Sequence, residues 1–430
     1  MNREMKESGI EWIGEIPEDW GVIPHKFVMG KVKYICEKYE GEDIISLTMR
    51  GVIVRDLVNP SGKMPASFDG YQRVTAGNLL LCLFDIDVTP RCVGLIKNDG
   101  LTSPAYSQFA LKNNNSANYY DYLLRMIDDN KSFLHLSKNL RSSLTETDFG
   151  QILTIVPSHS EQQRIADYLD QKCAEIDSIV ENTKASIEEY KAYKQSVITE
   201  AVTKGLNPNA PMKDSGVEWI GEIAGHWEIT PLKYCIDKIE SGTSVNSAFY
   251  PASEHEIGVM KTSCVYGNSF NPNENKCVNL DEIERVKCSV KKRTIIVSRM
   301  NTPELVGACG YVNKDYQNLY LPDRLWQVFF CESFSSRFIW HYLSSNGSKF
   351  WIASIATGTS SSMKNITQSQ FSNILMPLPE LSEQQQIADY LDLRCSDIDN
   401  LISQKQQIIS ELETYKKSLI YECVTGKREV

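Results

Sequence analysis

The residue groupings that usually carry catalysis are missing from this chain, and each near match fails at a named position. A phosphate-cradling loop requires G-x-x-x-x-G-K-[ST], yet Gly426-Lys427 is preceded by Tyr421 where the first glycine belongs. An adenine-methylating loop requires Asn or Asp, two prolines and an aromatic ring. Asn207-Pro208-Asn209 and Asn271-Pro272-Asn273 lack the second proline and the ring. His255-Glu256 runs into Ile257-Gly258, so the zinc-binding helix motif is not formed. The 6 histidines are scattered and the 12 cysteines contain no C-x-x-C pair. That distribution argues against a metal centre, a hydrolytic triad or a disulfide framework, and it suits reduced thiols.

The chemistry that remains is hydrogen bonding to phosphates and base edges. Two polar loops fall at corresponding places in the chain. One holds Lys138, Asn139, Arg141 and Ser142; the other holds Ser360, Ser361 and Lys364. Short hydroxyls, amides and single cations can bond phosphate oxygens and the rims of bases. Each loop leads into Thr145 or Thr367, then Phe149 or Phe371, then Pro157 or Pro379. Further candidates are Arg50, Arg55, Arg73 and Arg91 in the first half, and Lys261, Tyr266, Asn268, Arg299, Asn301 and Arg324 in the second. Arginine can fork onto guanine and asparagine onto adenine, which is why these types stand out. The plainer alternative for any one of them is a surface ion pair or a solvent loop.

A duplicated frame positions these loops. The short motif at residues 6–28, KESGIEWIGEIPEDWGVIPHKFV, returns at 213–235 as KDSGVEWIGEIAGHWEITPLKYC. A longer segment at 160–205 begins SEQQRIADYLDQKCAEID and returns at 382–427 as SEQQQIADYLDLRCSDID. In the longer segments apolar residues recur at alternating spacings of three and four. They are Ile165, Leu169, Cys173, Ile176, Val180 and Ile187 in the first copy, and Ile387, Leu391, Cys395, Ile398, Ile402 and Ile409 in the second. Thr183, Lys194, Lys405 and Lys416 interrupt the series. This is the heptad signature of a coiled coil, about 60 Å long at 1.5 Å per residue. Ser160 and Ser382 are the expected N-caps, each with a glutamine three residues on, and Gly205 and Gly426 are the expected stops. Trp12 and Trp219 in the short motifs are expected to be buried.

The fold class expected is α+β: two globular mixed α/β domains joined by two long antiparallel coiled-coil helices, with a pseudo-twofold internal repeat. The divisions are a short motif at 1–23, a variable block at 24–157, a helix at 158–206, a linker with the second motif at 207–230, a second variable block at 231–379 and a final helix at 380–430. Within the blocks, strands are expected near 78–84, 92–97, 293–298 and 326–331, and helices over 119–128 and 335–344. The net charge of −10 is concentrated in the frame, since block 24–157 carries 15 basic against 14 acidic residues and block 231–379 carries 15 against 12. Charge therefore permits basic patches on the blocks without requiring them. No apolar run reaches 18 residues and the N-terminus lacks an apolar leader, so the expectation is a cytoplasmic protein without membrane contact.

With SGIEWIGEIPEDW at the start, SEQQRIADYLDQKCAEID and YKQSVITEAVTKG in the middle, SGVEWIGEI after them, and SEQQQIADYLDLRCSDID with YKKSLIYECVTGK at the end, the chain resembles the specificity subunit of Type I restriction–modification systems along its whole length. The resemblance implies two target-recognition domains, each reading one half of a bipartite double-stranded DNA sequence. It implies helices that act as spacer and as platform for two methyltransferase subunits, with restriction subunits joining that core. It also implies that this subunit performs no chemistry and binds no cofactor, with S-adenosylmethionine, ATP and Mg expected on the partner subunits. A different class of reading is a non-catalytic adaptor whose two blocks bind proteins.

Overall fold

Both copies of the short motif fold as the same two-stranded hairpin. In the computed structural model Met5–Glu7 pairs antiparallel with Glu15–Pro17, and Met212–Asp214 pairs with Glu222–Ala224. The turns between them use left-handed glycines, Gly14 at φ 70° and Gly221 at φ 73°, a conformation that a side chain would strain. The structure describes residues 3–60, 64–136, 142–360 and 363–430, with the side chains at 359 and 360 excepted. The chain divides into two compact units: Met1–Lys184 with Gln406–Val430, and Ala185–Lys405.

Each unit contains one variable block, tied off at its base by a strand pair. Gly21–Pro24 pairs with Leu153–Val156 in unit 1, and Glu228–Pro231 pairs with Leu375–Leu378 in unit 2. Inside each block a four-stranded antiparallel sheet follows the same order. In unit 1 it runs Met29–Val32, Ser107–Leu111, Leu79–Leu81, Val93–Leu95. In unit 2 it runs Ile236–Ser241, Leu325–Phe330, Thr294–Ser298, Cys309–Val312. Leu79, Leu81 and Val93 in one, and Ile295, Val297 and Val328 in the other, are fully buried against the block's own helix. Those helices span Ala117–Asp129 and Ser336–Leu343, close to the expected 119–128 and 335–344. Ser116 and Ser335 cap them, each hydroxyl accepting from the N–H three residues on. Around these matching sheets the blocks diverge. Unit 2 adds a mixed sheet of Asn275–Cys277, Gly258–Met260, Tyr316–Tyr320 and Ser289–Val290, whereas unit 1 has the hairpin Ile45–Thr48 with Gly51–Val54.

The long helices span His159–Lys204 and Leu381–Val424. Ser160 is therefore inside the first turn and is not the N-cap. Ser158, the residue directly after Pro157, takes that role, its hydroxyl accepting from Glu161 N–H at 3.3 Å. Gln163 bonds Asp167 along the helix instead of closing a capping box. Likewise Ser382 lies inside its helix, and the Glu380 carbonyl accepts from Gln384 N–H. Beyond Lys204 and Val424 come Gly205 at φ 77° and Gly426 at φ 71°. Of the seam residues, Ile165, Leu169, Ile176, Val180, Ile187, Ile387, Leu391 and Ile398 are buried, while Ile402 and Ile409 are half-buried. Two polar interruptions are ion pairs between the helices: Lys416 with Asp177 at 2.7 Å in unit 1, and Lys194 with Asp399 at 2.6 Å in unit 2. Asp177 corresponds to Asp399 in the repeat, and Lys194 to Lys416.

The two tryptophans expected to be buried are only partly so. Trp12 and Trp219 are half-buried, Trp219 stacking on Trp351 with centroids 5.6 Å apart. Trp20 and Trp227 are instead the largest fully buried side chains of their units.

One core position differs between units in a way that titrates. His25 and Leu232 occupy the same place, each N–H bonding the carbonyl of Ile152 or Ile374. His25 stacks on Phe149 at 4.7 Å, is fully buried, and among the described residues its Nε2 has no partner. Burial pushes its pKa down to about 4. The unfolded chain then binds a proton that the folded chain refuses, so stability falls as pH drops from about 6.5 toward 4. His25→Leu should remove that slope, worth up to about 3 kcal/mol at the acid end. Chemical denaturation at pH 7 and pH 4.5 checks it: an unchanged acid loss in the variant would exonerate His25.

Candidate nucleic-acid interface

Three polar residues of the longer repeated motif fix the short motif and the block on each long helix. The Trp20 indole donates to Glu161 Oε2 at 2.9 Å, and the Trp227 indole to Glu383 Oε2 at 3.0 Å. Next along, Gln162 Oε1 accepts from Ser116 N–H, and Gln384 Oε1 from Ser335 N–H, both at 2.8 Å. The same two amides donate to the carbonyls of Pro157 and Pro379. Two turns on, Asp170 accepts from Asn118 and the Tyr122 hydroxyl. Its counterpart Asp392 accepts from Arg337 at 2.6 Å and faces His341 Nε2 at 2.8 Å. Burial would raise Asp392, but His341 and Arg337 hold it below the usual carboxylate range. Burial also pushes His341 down. These glutamate, glutamine and aspartate positions were not among the candidate residues, although all lie in the duplicated stretch and only their polarity inside a buried helix face could have marked them.

In unit 2 six of the sequence candidates converge. Met300–Asn301 pairs with Met363–Asn365, which pairs with Thr357–Ser360, so two loops distant in sequence become one three-stranded sheet. Asn301 stands opposite Lys364 in that register. The Arg299 carbonyl accepts from Ile366 N–H, its N–H donates to the Arg324 carbonyl, and its Nε donates to the Asp323 carbonyl at 2.8 Å. Asn301 is buried, and its Nδ2 donates to the Tyr266 hydroxyl at 2.8 Å and to Ser298 Oγ at 3.2 Å. Its Oδ1 accepts from Thr302 N–H. With both ends of the amide used, Asn301 sets the shape of the cluster and has little left for a base edge. Arg324 is exposed and Lys364 half-buried. Ser360 closes the hairpin strand, while Ser361 lies outside the described residues.

Two candidates fall elsewhere. Lys261 is paired with Glu274 at 2.8 Å. Asn268, at φ 58°, gives its carbonyl to the Trp340 indole and lines a cavity of about 570 Å³ with Lys194, His341 and Asp392.

In unit 1 the loop after Leu79–Leu81 is held to the polar loop that contains Ser142. Leu144 N–H bonds the Leu83 carbonyl, and Ile86 N–H bonds the carbonyl of Ser142, itself at φ 47°. Lys138, Asn139 and Arg141 lie outside the described residues. Arg91 reaches across to the hairpin tip, Nη1 donating to the Met49 carbonyl at 2.6 Å, and burial lowers its pKa. Arg50 at that tip is exposed. Arg55 is half-buried, its N–H bonding the Ile44 carbonyl. Arg73 pairs with Glu42 at 2.9 Å beside the Tyr34 ring. The same tip region exposes Met49, Phe84 and Val88, apolar side chains that a search for cations and amides passes over. Apolar groups of this kind can meet the thymine methyl in a groove.

Among the described residues no group of three or more His, Cys, Asp or Glu is placed to hold a metal, and no helix is long and apolar enough to cross a membrane. Residues 241–414 match the family model of the Type I restriction modification DNA specificity domain. The chain is 26% identical over 446 residues to the putative Type I restriction enzyme MjaX specificity subunit of Methanocaldococcus jannaschii, covering 97% of this chain and 96% of that one. It is 24% identical to the MjaVIII specificity subunit of the same organism, over 96% of this chain and 94% of the relative. A solved structure described by the assembly and conformational transition of the Type I R-M system matches with a TM-score of 0.70 at 14% identity, covering 96% of this chain and 99% of that one. The HsdS subunit from Thermoanaerobacter tengcongensis matches with a TM-score of 0.52 at 15% identity, over 96% and 98%. The fold is thus that of these solved chains. Residues 241–414 thus carry the Type I restriction modification DNA specificity domain, and along nearly its whole length the chain is similar to specificity subunits of Type I restriction enzymes.

Proposed function

We propose that the chain reads an asymmetric bipartite DNA target, one half through each variable block, and docks methyltransferase and restriction subunits on its frame. The observation that carries this reading is the anchoring: two unlike blocks are held to two like helices by the same glutamine and aspartate positions, and the short motif before each block by the same glutamate. Such a frame holds its inserts constant in placement while their loops vary in content. The domains are then the blocks 24–157 and 231–379, with the long helices as an antiparallel coiled-coil pair. In support, residues 190 and 194 meet 405 and 399 in unit 2. Exposed apolar residues recur at corresponding positions of the two helices, Ile179 with Leu401 and Tyr193 with Tyr415, as a surface for repeated subunits would require.

The reading surface we assign is, in unit 2, Arg324, Lys364 and the hairpin at Ser360, positioned by Arg299, Asn301 and Tyr266. In unit 1 it is Arg50 and Arg91, with Ser142 and the loop 84–88. Replacing residues 24–157 with the corresponding block of a relative should change one half-site of the methylated motif and leave the other. Sequencing modified adenines in cells carrying the exchange decides it; altered bases in both halves, or in neither, would refute modular reading.

A second test separates base reading from phosphate attraction. Arg324→Ala in the assembled complex should relax the requirement at one base pair of one half-site by about 1–3 kcal/mol. Arg73→Ala, whose guanidinium is already committed to Glu42, should leave the motif intact. Affinity should fall steeply with added salt in both variants, as phosphate contacts dictate. Equal loss at every base position in the Arg324 variant would demote that residue to a phosphate contact.

A further inference from the structure

Unit 1 closes two acidic sites with arginines that unit 2 lacks. Arg3 pairs with Glu161 and Asp19, its Nη2 lying 2.8 Å from Asp19 and 3.2 Å from Glu161, with the Trp20 ring 5.5 Å away. Arg428, two residues past the glycine that ends the second long helix, approaches Glu422 at 3.5 Å, and the phenols of Tyr168 and Tyr415 raise its pKa.

Unit 2 keeps the receiving groups except Asp19, whose place is taken by His226. Glu383, Tyr390, Tyr193 and Glu200 correspond to Glu161, Tyr168, Tyr415 and Glu422 in the repeat. The arginines are replaced: Ala210 corresponds to Arg3, and the residue two past Gly205 is Asn207. Both places are open. One cavity, of about 560 Å³, is lined by Tyr193, Glu200, Asn207 and Tyr390. The other, of about 750 Å³, is lined by Ala210, Glu228, Glu380 and Glu383. Lys204 and Asn207 border both, so the two are neighbours.

Local cations only partly answer this acidity. His226 bonds Glu383 through Oε2, the oxygen that also takes the Trp227 indole. Arg394 reaches the Tyr193 hydroxyl from the helix at 3.3 Å. Among the described residues Glu200, Glu228 and Glu380 have no ion-pair partner, with Lys204 on the rim.

We propose that these paired clefts receive a basic segment of the methyltransferase partner, two arginines entering where Arg428 and Arg3 sit in unit 1. This rests on the subunit-docking reading above. A planar guanidinium can bond a carboxylate and a tyrosine hydroxyl together, which the compact ammonium of lysine does less well. The site is acidic and part open, and in unit 1 the corresponding glutamates are met by arginines of the chain itself.

The experiment uses the full chain with its co-expressed methyltransferase subunit, measuring complex affinity and the Tm of the free chain. Glu200→Gln should weaken the complex about tenfold, the loss of one charge-assisted contact. The double substitution Asn207→Arg with Ala210→Arg should fill the clefts from within, raising the free chain's Tm and weakening the complex at least as much. Glu422→Gln, in the unit already filled by Arg428, should lower Tm and leave partner affinity alone. Wild-type affinity in both unit 2 variants would overturn the proposal while the docking reading stood. Failure of the wild-type chain to form any complex would overturn that reading and the partner assignment with it.

Discussion

A buried indole N–H has one proton to donate and no water to take it, and this requirement organises each unit. Trp20 and Trp227 are at most 1% exposed, and each finds its acceptor on the first turn of a long helix. Leaving such a donor unpaired would cost about 1–3 kcal/mol, so the short motif can settle only where that glutamate stands. The helix start is fixed in turn. Glu161 has to be presented by a turn that Ser158 caps, and Gln162 beside it then reaches the cap of the block helix at Ser116. Motif, long helix and block are thus tied together at one corner, with Ile16, Phe149 and Ile155 filling the space around it.

The polar contacts along the seam have a different role. Lys194–Asp399 and Lys416–Asp177 carry aspartates more than half exposed, and pairs of that kind contribute about 0–1 kcal/mol. Their value lies in alignment. A lysine beside an apolar seam finds its carboxylate in one register and loses it when the helix slips by a residue. Burial of Leu169, Ile176, Leu391 and Ile398 supplies the attraction, and the ion pairs select which arrangement satisfies it.

Features set by nearby residues were legible in the sequence. The block helices lie within two residues of expectation because Ser116 and Ser335 are strong caps and the apolar spacing behind them is helical. The heptad positions gave the buried face of both long helices, with Ile402 and Ile409 less covered than their spacing implies. What escaped depends on long-range pairing. Nothing near Asn301 announces that it will lie across from Lys364, or that Tyr266 will occupy its amide. Trp12 and Trp20 look alike in the motif, yet only Trp20 has a carboxylate within reach and can be buried completely. Ser160 fits the capping pattern as well as Ser158 does; the difference is that Pro157 leaves the chain extended up to Ser158.

The carboxylate two turns into each long helix has a chemistry that suits a fixed socket. Ionised aspartate only accepts hydrogen bonds, and it accepts from any donor. Asp170 takes an amide and a phenol from one block, and Asp392 takes a guanidinium and an imidazole from the other. A donor in that place would have needed a matching acceptor from every block it met, and an apolar contact would have needed a matching shape. An acceptor with several open lone pairs asks only that the incoming helix bring some N–H or O–H to the same turn. The same carboxylate position thereby holds two blocks whose contacting side chains are unrelated, with no change of residue in the helix beneath them.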